Sequence, residues 1–79
     1  ALWQKLQENG PDELPHGLSE REWKTLKLMA AGNTNEEIAQ MLFISPRVVR
    51  RSNTAIYRKL GVRNRSEAIA HVMRENWFG

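Results

Sequence analysis

Three stretches of this chain share one short pattern that fixes where helices begin. Ser19 is followed three residues on by Glu22, Thr34 by Glu37, and Asn64 by Glu67. The first residue's side-chain oxygen accepts from the backbone N–H three positions later, and the carboxylate returns to the first residue's own N–H. A fourth start is marked by Ser45 before Pro46, because proline at the first helical position gives up only an N–H that has no helical partner. Gly32 and Gly61 follow two of the apolar segments and supply left-handed stops. These signals predict helices over about 20–31, 35–42, 46–60 and 65–76, so the fold class is all-α and the unit a compact four-helix domain.

Apolar spacing assigns the inward faces. Leu18 and Trp23 stand at the positions of a hydrophobic staple, and Trp23, Leu26, Met29 and Ala30 line one side of the first helix. Arg21, Lys24 and Lys27 face elsewhere. Ile38, Ala39 and Leu42 line the second helix, and Phe43 and Ile44 are expected to tuck into the core as turn residues. Residues 1–17 read as a linker or short helical extension, because "ENGPDELPHG" is rich in Gly, Pro and acids while residues 2–8 carry Leu2, Trp3 and Leu6. The domain proper is expected over 18–79. With no cysteine among 79 residues, stability must come from packing and capping. The apolar runs fall far short of the roughly 20 residues that span a bilayer, and the start lacks a signal-peptide layout. The chain reads as a soluble cytoplasmic domain, and its beginning at Ala1 suggests a fragment of a larger protein.

Charge is unevenly placed. Between Ser45 and Arg65 stand Arg47, Arg50, Arg51, Arg58, Lys59, Arg63 and Arg65 without a single acid. The other 58 residues hold five basic and nine acidic side chains, a local balance of −4. A solvated face normally mixes both signs, so one cationic strip on a mildly acidic body points to a polyanionic partner.

Helical geometry resolves that strip into faces. With about 100° per residue and Arg47 at zero, Arg50 falls near 300°, Thr54 near 340°, Arg58 near 20° and Arg51 near 40°. Val49, Asn53, Ile56 and Leu60 fall opposite, between about 180° and 240°. The helix is about 22 Å long and 10 to 12 Å wide, a fit to the roughly 12 Å major groove of B-DNA. A short helix, a three-residue turn and this long helix form a helix-turn-helix, whose second helix enters the groove by its N-terminal half. Arg47, Arg50, Arg51 and Thr54 lie in that half and are candidates for reading bases. Arg58, Lys59, and Ser45 with the free N–H groups beside it, are candidates for holding phosphate.

The stretches "LSEREWKTLKLMAAGNTNEEIAQMLFIS" and "RKLGVRNRSEAI" resemble the LuxR/FixJ-type (GerE-like) helix-turn-helix domain found at the C-terminus of many bacterial transcription regulators. Several spaced signposts agree in order and distance over residues 18 to about 74. The resemblance implies a four-helix DNA-binding unit, base contacts at Arg50, Arg51 and Thr54, and a two-fold dimer contact through the fourth helix. The dimer surface so implied is Ala68, His71, Val72 and Glu75. Where the family usually has Thr, His and Asn along the third helix, this chain has Val48, Ser52 and Ala55, and Thr25 replaces a usual valine. Loss of the histidine removes a phosphate contact. Many relatives carry an upstream receiver domain, whose phosphoacceptor site is absent here.

Ala68 and Val72 widen the apolar face of the fourth helix beyond Ile69 and Met73, more than one core contact needs. A broad core face, covered by the Trp3 segment or by Trp77 and Phe78, is the other reading of the same residues. Catalysis is not expected: the lone aspartate, Asp12, lies in the linker, His16 and His71 have no evident partner, and metal-ligand spacing is absent. No cofactor is implied. Membrane-surface binding conflicts with the core's need for Val49, Ile56 and Leu60. The expected function is sequence-specific binding of double-stranded DNA by a homodimer on a two-fold site. The alternative is a helix-turn-helix repurposed to bind an acidic protein.

Overall fold

The computed structural model describes residues 14–78, and the expected helical turn around Trp3 lies outside them. A 3-10 turn at Pro15–Gly17 leads into α1 (Glu20–Ala30), followed by α2 (Asn35–Leu42), α3 (Pro46–Leu60) and α4 (Arg65–Glu75). The all-α expectation holds, with helix limits within a residue of those read from the sequence.

Each start is capped by the side chain anticipated for it. Ser19 Oγ accepts from the Glu22 N–H at 3.1 Å while Glu22 Oε1 accepts from the Ser19 N–H at 2.8 Å. The same reciprocal pair joins Thr34 and Glu37, at 3.2 and 2.8 Å. Ser45 Oγ and Asn64 Oδ1 accept from the N–H groups of Val48 and Glu67, at 3.2 and 2.9 Å. Only Glu67 departs from the pattern, reaching one residue farther to accept from the Arg63 N–H at 2.8 Å. Caps of this kind are each worth about 1 kcal/mol.

The core is built around α3, which packs against α1, α2, α4 and the 3-10 turn. Trp23, Leu26 and Met29 of α1, Ile38 and Ala39 of α2, Val49, Ile56 and Leu60 of α3, and Ala68 and Val72 of α4 are buried together with Leu14, Leu18 and Trp77. Burying such a side chain fully contributes about 1.5 to 3 kcal/mol. Thr25, which stands where valine would be usual, is also fully buried, and its hydroxyl donates to the Arg21 carbonyl at 2.8 Å. The substitution therefore leaves its buried hydroxyl partnered.

Two sequence expectations are corrected. Ile44 packs partly against the core, but Phe43 does not tuck in: it is 94% exposed. Phe43 caps α2 in the left-handed region (φ 58, ψ 44), and the reversal that brings Ile44 inward carries the phenyl ring outward. A side chain in that region costs about 1 to 2 kcal/mol. On α4 the inward residues are Ala68 and Val72, whereas Met73 is 70% exposed. Asn76 turns left-handed (φ 54) and returns the chain, so that Trp77 lies 5.5 Å and Phe78 4.7 Å from the Trp23 ring.

Candidate nucleic-acid interface

The two edges of α3 have opposite environments. Val49, Asn53, Ile56 and Leu60 are buried, while Arg47, Arg50, Arg51, Thr54 and Arg58 are exposed. Among the described residues, none of those four arginines is held in an ion pair. Unpaired guanidinium groups crowded on one arc repel one another, a cost that an approaching anion relieves.

Thr54 Oγ1 donates to the Arg50 carbonyl at 3.2 Å, which spends its proton inside the helix. Its lone pairs and methyl group remain free to face outward. At the start of α3, Ser45 is exposed and its Oγ already accepts from Val48, so the cap is satisfied before any ligand arrives. The angle between α2 and α3 is held by Asn53 Nδ2 donating to Asn35 Oδ1 at 3.1 Å. Sequence reasoning placed Asn53 on the packing edge but missed this link, because its partner lies 18 positions away.

Lys59, expected to hold phosphate, is also engaged within the domain. Its ammonium donates to Glu22 Oε1 at 2.6 Å and to the Gly17 carbonyl at 3.1 Å, tying the end of α3 to the start of α1 and the turn before it. Burial pushes the Glu22 carboxyl up. The Lys59 hydrogen bond, the Ser19 N–H and the Lys59 charge together outweigh that effect and hold the group below its ordinary value. Arg65 is likewise engaged, donating to the Asn33 carbonyl in the α1–α2 loop. Of the seven cations in the strip, these two brace the fold and four form the exposed arc.

The three positions at which α3 departs from the usual family residues come together. Val48, Ser52 and Ala55 line a groove of about 360 Å³ between α3 and the start of α1, shared with Ser19, Arg21, Glu22 and Arg51. Arg21 thus borders the cationic face from a neighbouring helix, which no pattern within α3 foretold.

The expected dimer residues are dispersed. Ala68 and Val72 are 0% and 3% exposed and belong to the monomer's own core, where α4 packs on α3 and α1 in one cluster with Trp77. His71 is half-buried, its ring 5.2 Å from Trp77 and 5.4 Å from His16, an aromatic cluster the sequence did not disclose. Glu75 is exposed. Among the described residues no three His, Cys, Asp or Glu side chains gather to hold a metal ion, and no helix is long and apolar enough to cross a membrane.

A capped short helix, a left-handed turn and a longer helix with an exposed basic arc define a helix-turn-helix domain. Residues 16–72 match the family model of bacterial regulatory proteins, luxR family, and the chain belongs to that family. It is similar to the transcriptional regulatory protein LiaR of Bacillus subtilis (strain 168), 38% identical over 73 residues that make up 91% of this chain and 35% of LiaR. It is also similar to the transcriptional regulatory protein DesR of the same organism, 43% identical over 61 residues, 77% of this chain and 31% of DesR. The chain spans about a third of the length of these curated relatives.

Proposed function

We propose that this chain is the DNA-binding effector part of a bacterial transcription regulator, with α3 entering the major groove of double-stranded DNA. The observation that carries the reading is the exposed arc of Arg47, Arg50, Arg51 and Arg58 on a helix whose opposite edge is buried in the core. Arg50 and Arg51 are suited to grip guanine O6 and N7 in a fork. Arg47 stands beside them as a further base reader. Thr54 offers acceptor lone pairs and a methyl group, a match to an exocyclic amine or a thymine methyl. Ser45 and Arg58 lie toward the two ends of α3 and hold phosphate.

The protein acts as a dimer on a two-fold site, its recognition helices about one DNA turn, roughly 34 Å, apart. The dimer contact runs through the outward side of α4, where Ala70 and Met73 are exposed and Ile69 is half-buried. It therefore lies next to, and not on, Ala68 and Val72. In the full-length protein an upstream regulatory domain controls this unit, which meets its DNA in the cytoplasm.

The test is binding to a selected operator and to a scrambled duplex over a range of salt. Affinity falls with a log–log slope of about −0.9 per phosphate neutralised. Replacing Arg50 or Arg51 with Ala narrows the gap between the two duplexes by about 1 to 3 kcal/mol. Equal losses on both duplexes would demote that arginine to a phosphate contact, and salt-independent binding would overturn the electrostatic reading. Met73→Asp, at an exposed position, abolishes paired occupancy of the two half-sites without unfolding the monomer.

A further inference from the structure

The side of the domain formed by α1 and α2 carries features that neither the core nor a DNA contact through α3 explains. Phe43 is 94% and Met41 54% exposed, two residues apart at the end of α2. Phe43 holds the left-handed conformation, which glycine or asparagine adopts with less strain. Neither packing nor backbone geometry asks for a phenyl ring there. Just before it, Leu28, Met41 and Leu42 floor an open groove of about 320 Å³ between α1 and α2, rimmed by Lys24 and Lys27. No residue of α3 lines it.

Charge at this site runs against the rest of the body. Of the five basic side chains outside the strip at 45–65, two, Lys24 and Lys27, line this groove, about one turn apart along α1. Both are exposed. Lys24 also holds Glu20, one turn back on α1, at 3.3 Å. An apolar floor with a cationic rim is the complement of an amphipathic helix whose polar side is acidic.

We infer that the α1–α2 groove and Phe43 form a docking surface for an acidic amphipathic helix of a partner protein. The apolar stripe of that helix lies on Leu28, Met41 and Leu42, its carboxylates meet Lys24 and Lys27, and Phe43, next in sequence to Leu42, offers a further exposed ring. Because α3 contributes nothing to the groove, the partner binds whether or not α3 is on DNA. The surface is thus a means of recruiting a second protein to the site the domain occupies.

The probe is a synthetic helical peptide of about 15 residues, four turns, with Leu and Phe on one stripe and Glu elsewhere. A control peptide carries Lys in place of Glu. Amide chemical shifts of the free chain are followed as each peptide is added at low salt. The acidic peptide is expected to move the signals of Lys24, Lys27, Leu28, Met41, Leu42 and Phe43, and to bind about tenfold tighter than its basic counterpart. Phe43→Asn, which suits the left-handed backbone, weakens the peptide about ten- to a hundredfold and leaves DNA affinity unchanged. Lys24→Glu with Lys27→Glu inverts the preference toward the basic peptide.

Absence of acidic-peptide binding up to about 1 mM would overturn the inference. Shifts confined to Arg50 and Arg51 would do so as well, reassigning the peptide to the cationic arc. So would self-association of the chain that Phe43→Asn abolishes, which gives the face to a second copy. Loss of DNA binding in Phe43→Asn would give it to nucleic acid.

Discussion

Lys59→Met separates two roles that charge alone cannot distinguish. The Lys59 ammonium lies 2.6 Å from Glu22 Oε1, with side-chain exposures of 37% for Lys59 and 12% for Glu22. This environment lies between an exposed pair, worth about 0.2 to 1 kcal/mol, and a buried one whose breakage costs about 3 to 5, so about 1 to 2 kcal/mol is expected. In a domain of this size each kcal/mol moves the thermal midpoint by about 4 to 8 °C. Glu22→Gln makes the measurement clean, since glutamine still accepts from the Ser19 N–H in the capping box but carries no charge. A double-mutant cycle of the two, followed by thermal and urea unfolding, should return a coupling of about 1 to 2 kcal/mol. The salt slope of DNA binding should stay the same in Lys59→Met. Coupling near zero, together with a slope reduced by about 0.9, would show instead that Lys59 neutralises a phosphate and refute the tether.

The same pair predicts a pH dependence. Glu22 titrates lower in the folded chain than when unfolded, so its contribution is present above the ordinary carboxylate value near pH 4.3 and is lost as pH falls through the lower folded value. Wild type and Glu22→Gln should therefore converge in midpoint temperature only once pH has fallen below the lowered folded value. Asn53→Ala, which breaks the 3.1 Å link to Asn35, should cost about 1 kcal/mol in urea unfolding. Gly61→Ala places a Cβ at φ 71 with open space around it, so its cost of about 1 kcal/mol comes from the backbone alone. Trp77→Ala removes a ring only 6% exposed and should cost about 3 to 5 kcal/mol, a large part of the stability of a small domain.

What the sequence disclosed was whatever depends on residues three or four apart. Ser19 with Glu22 and Thr34 with Glu37 speak for their own helix starts, and the arc of Arg47, Arg50, Arg51 and Thr54 follows from helical pitch alone. Position 43 was not legible, because a phenylalanine before an isoleucine reads as buried when only the left-handed turn turns it out. The inward side of α4 was ambiguous for a related reason. Ala68 and Ile69, then Val72 and Met73, are adjacent apolar pairs, and the choice within each pair is made by the side on which α4 meets α3 and α1. Lys59 and Glu22 stand 37 positions apart, so a tether and a phosphate ligand look alike until the chain is folded.

The return of Trp77 onto Trp23 also sets the order of events during synthesis. The ring that heads the core is made early, and the ring that seals it follows 54 residues later. At about 5 to 20 residues per second, roughly 3 to 11 seconds separate Trp23 from the ring that closes over it, and α2 and α3 are made within that interval to pack against α1. The nascent chain must spend the end of that interval with the Trp23 ring short of its last cover, so completion of this domain is timed by translation as much as by packing.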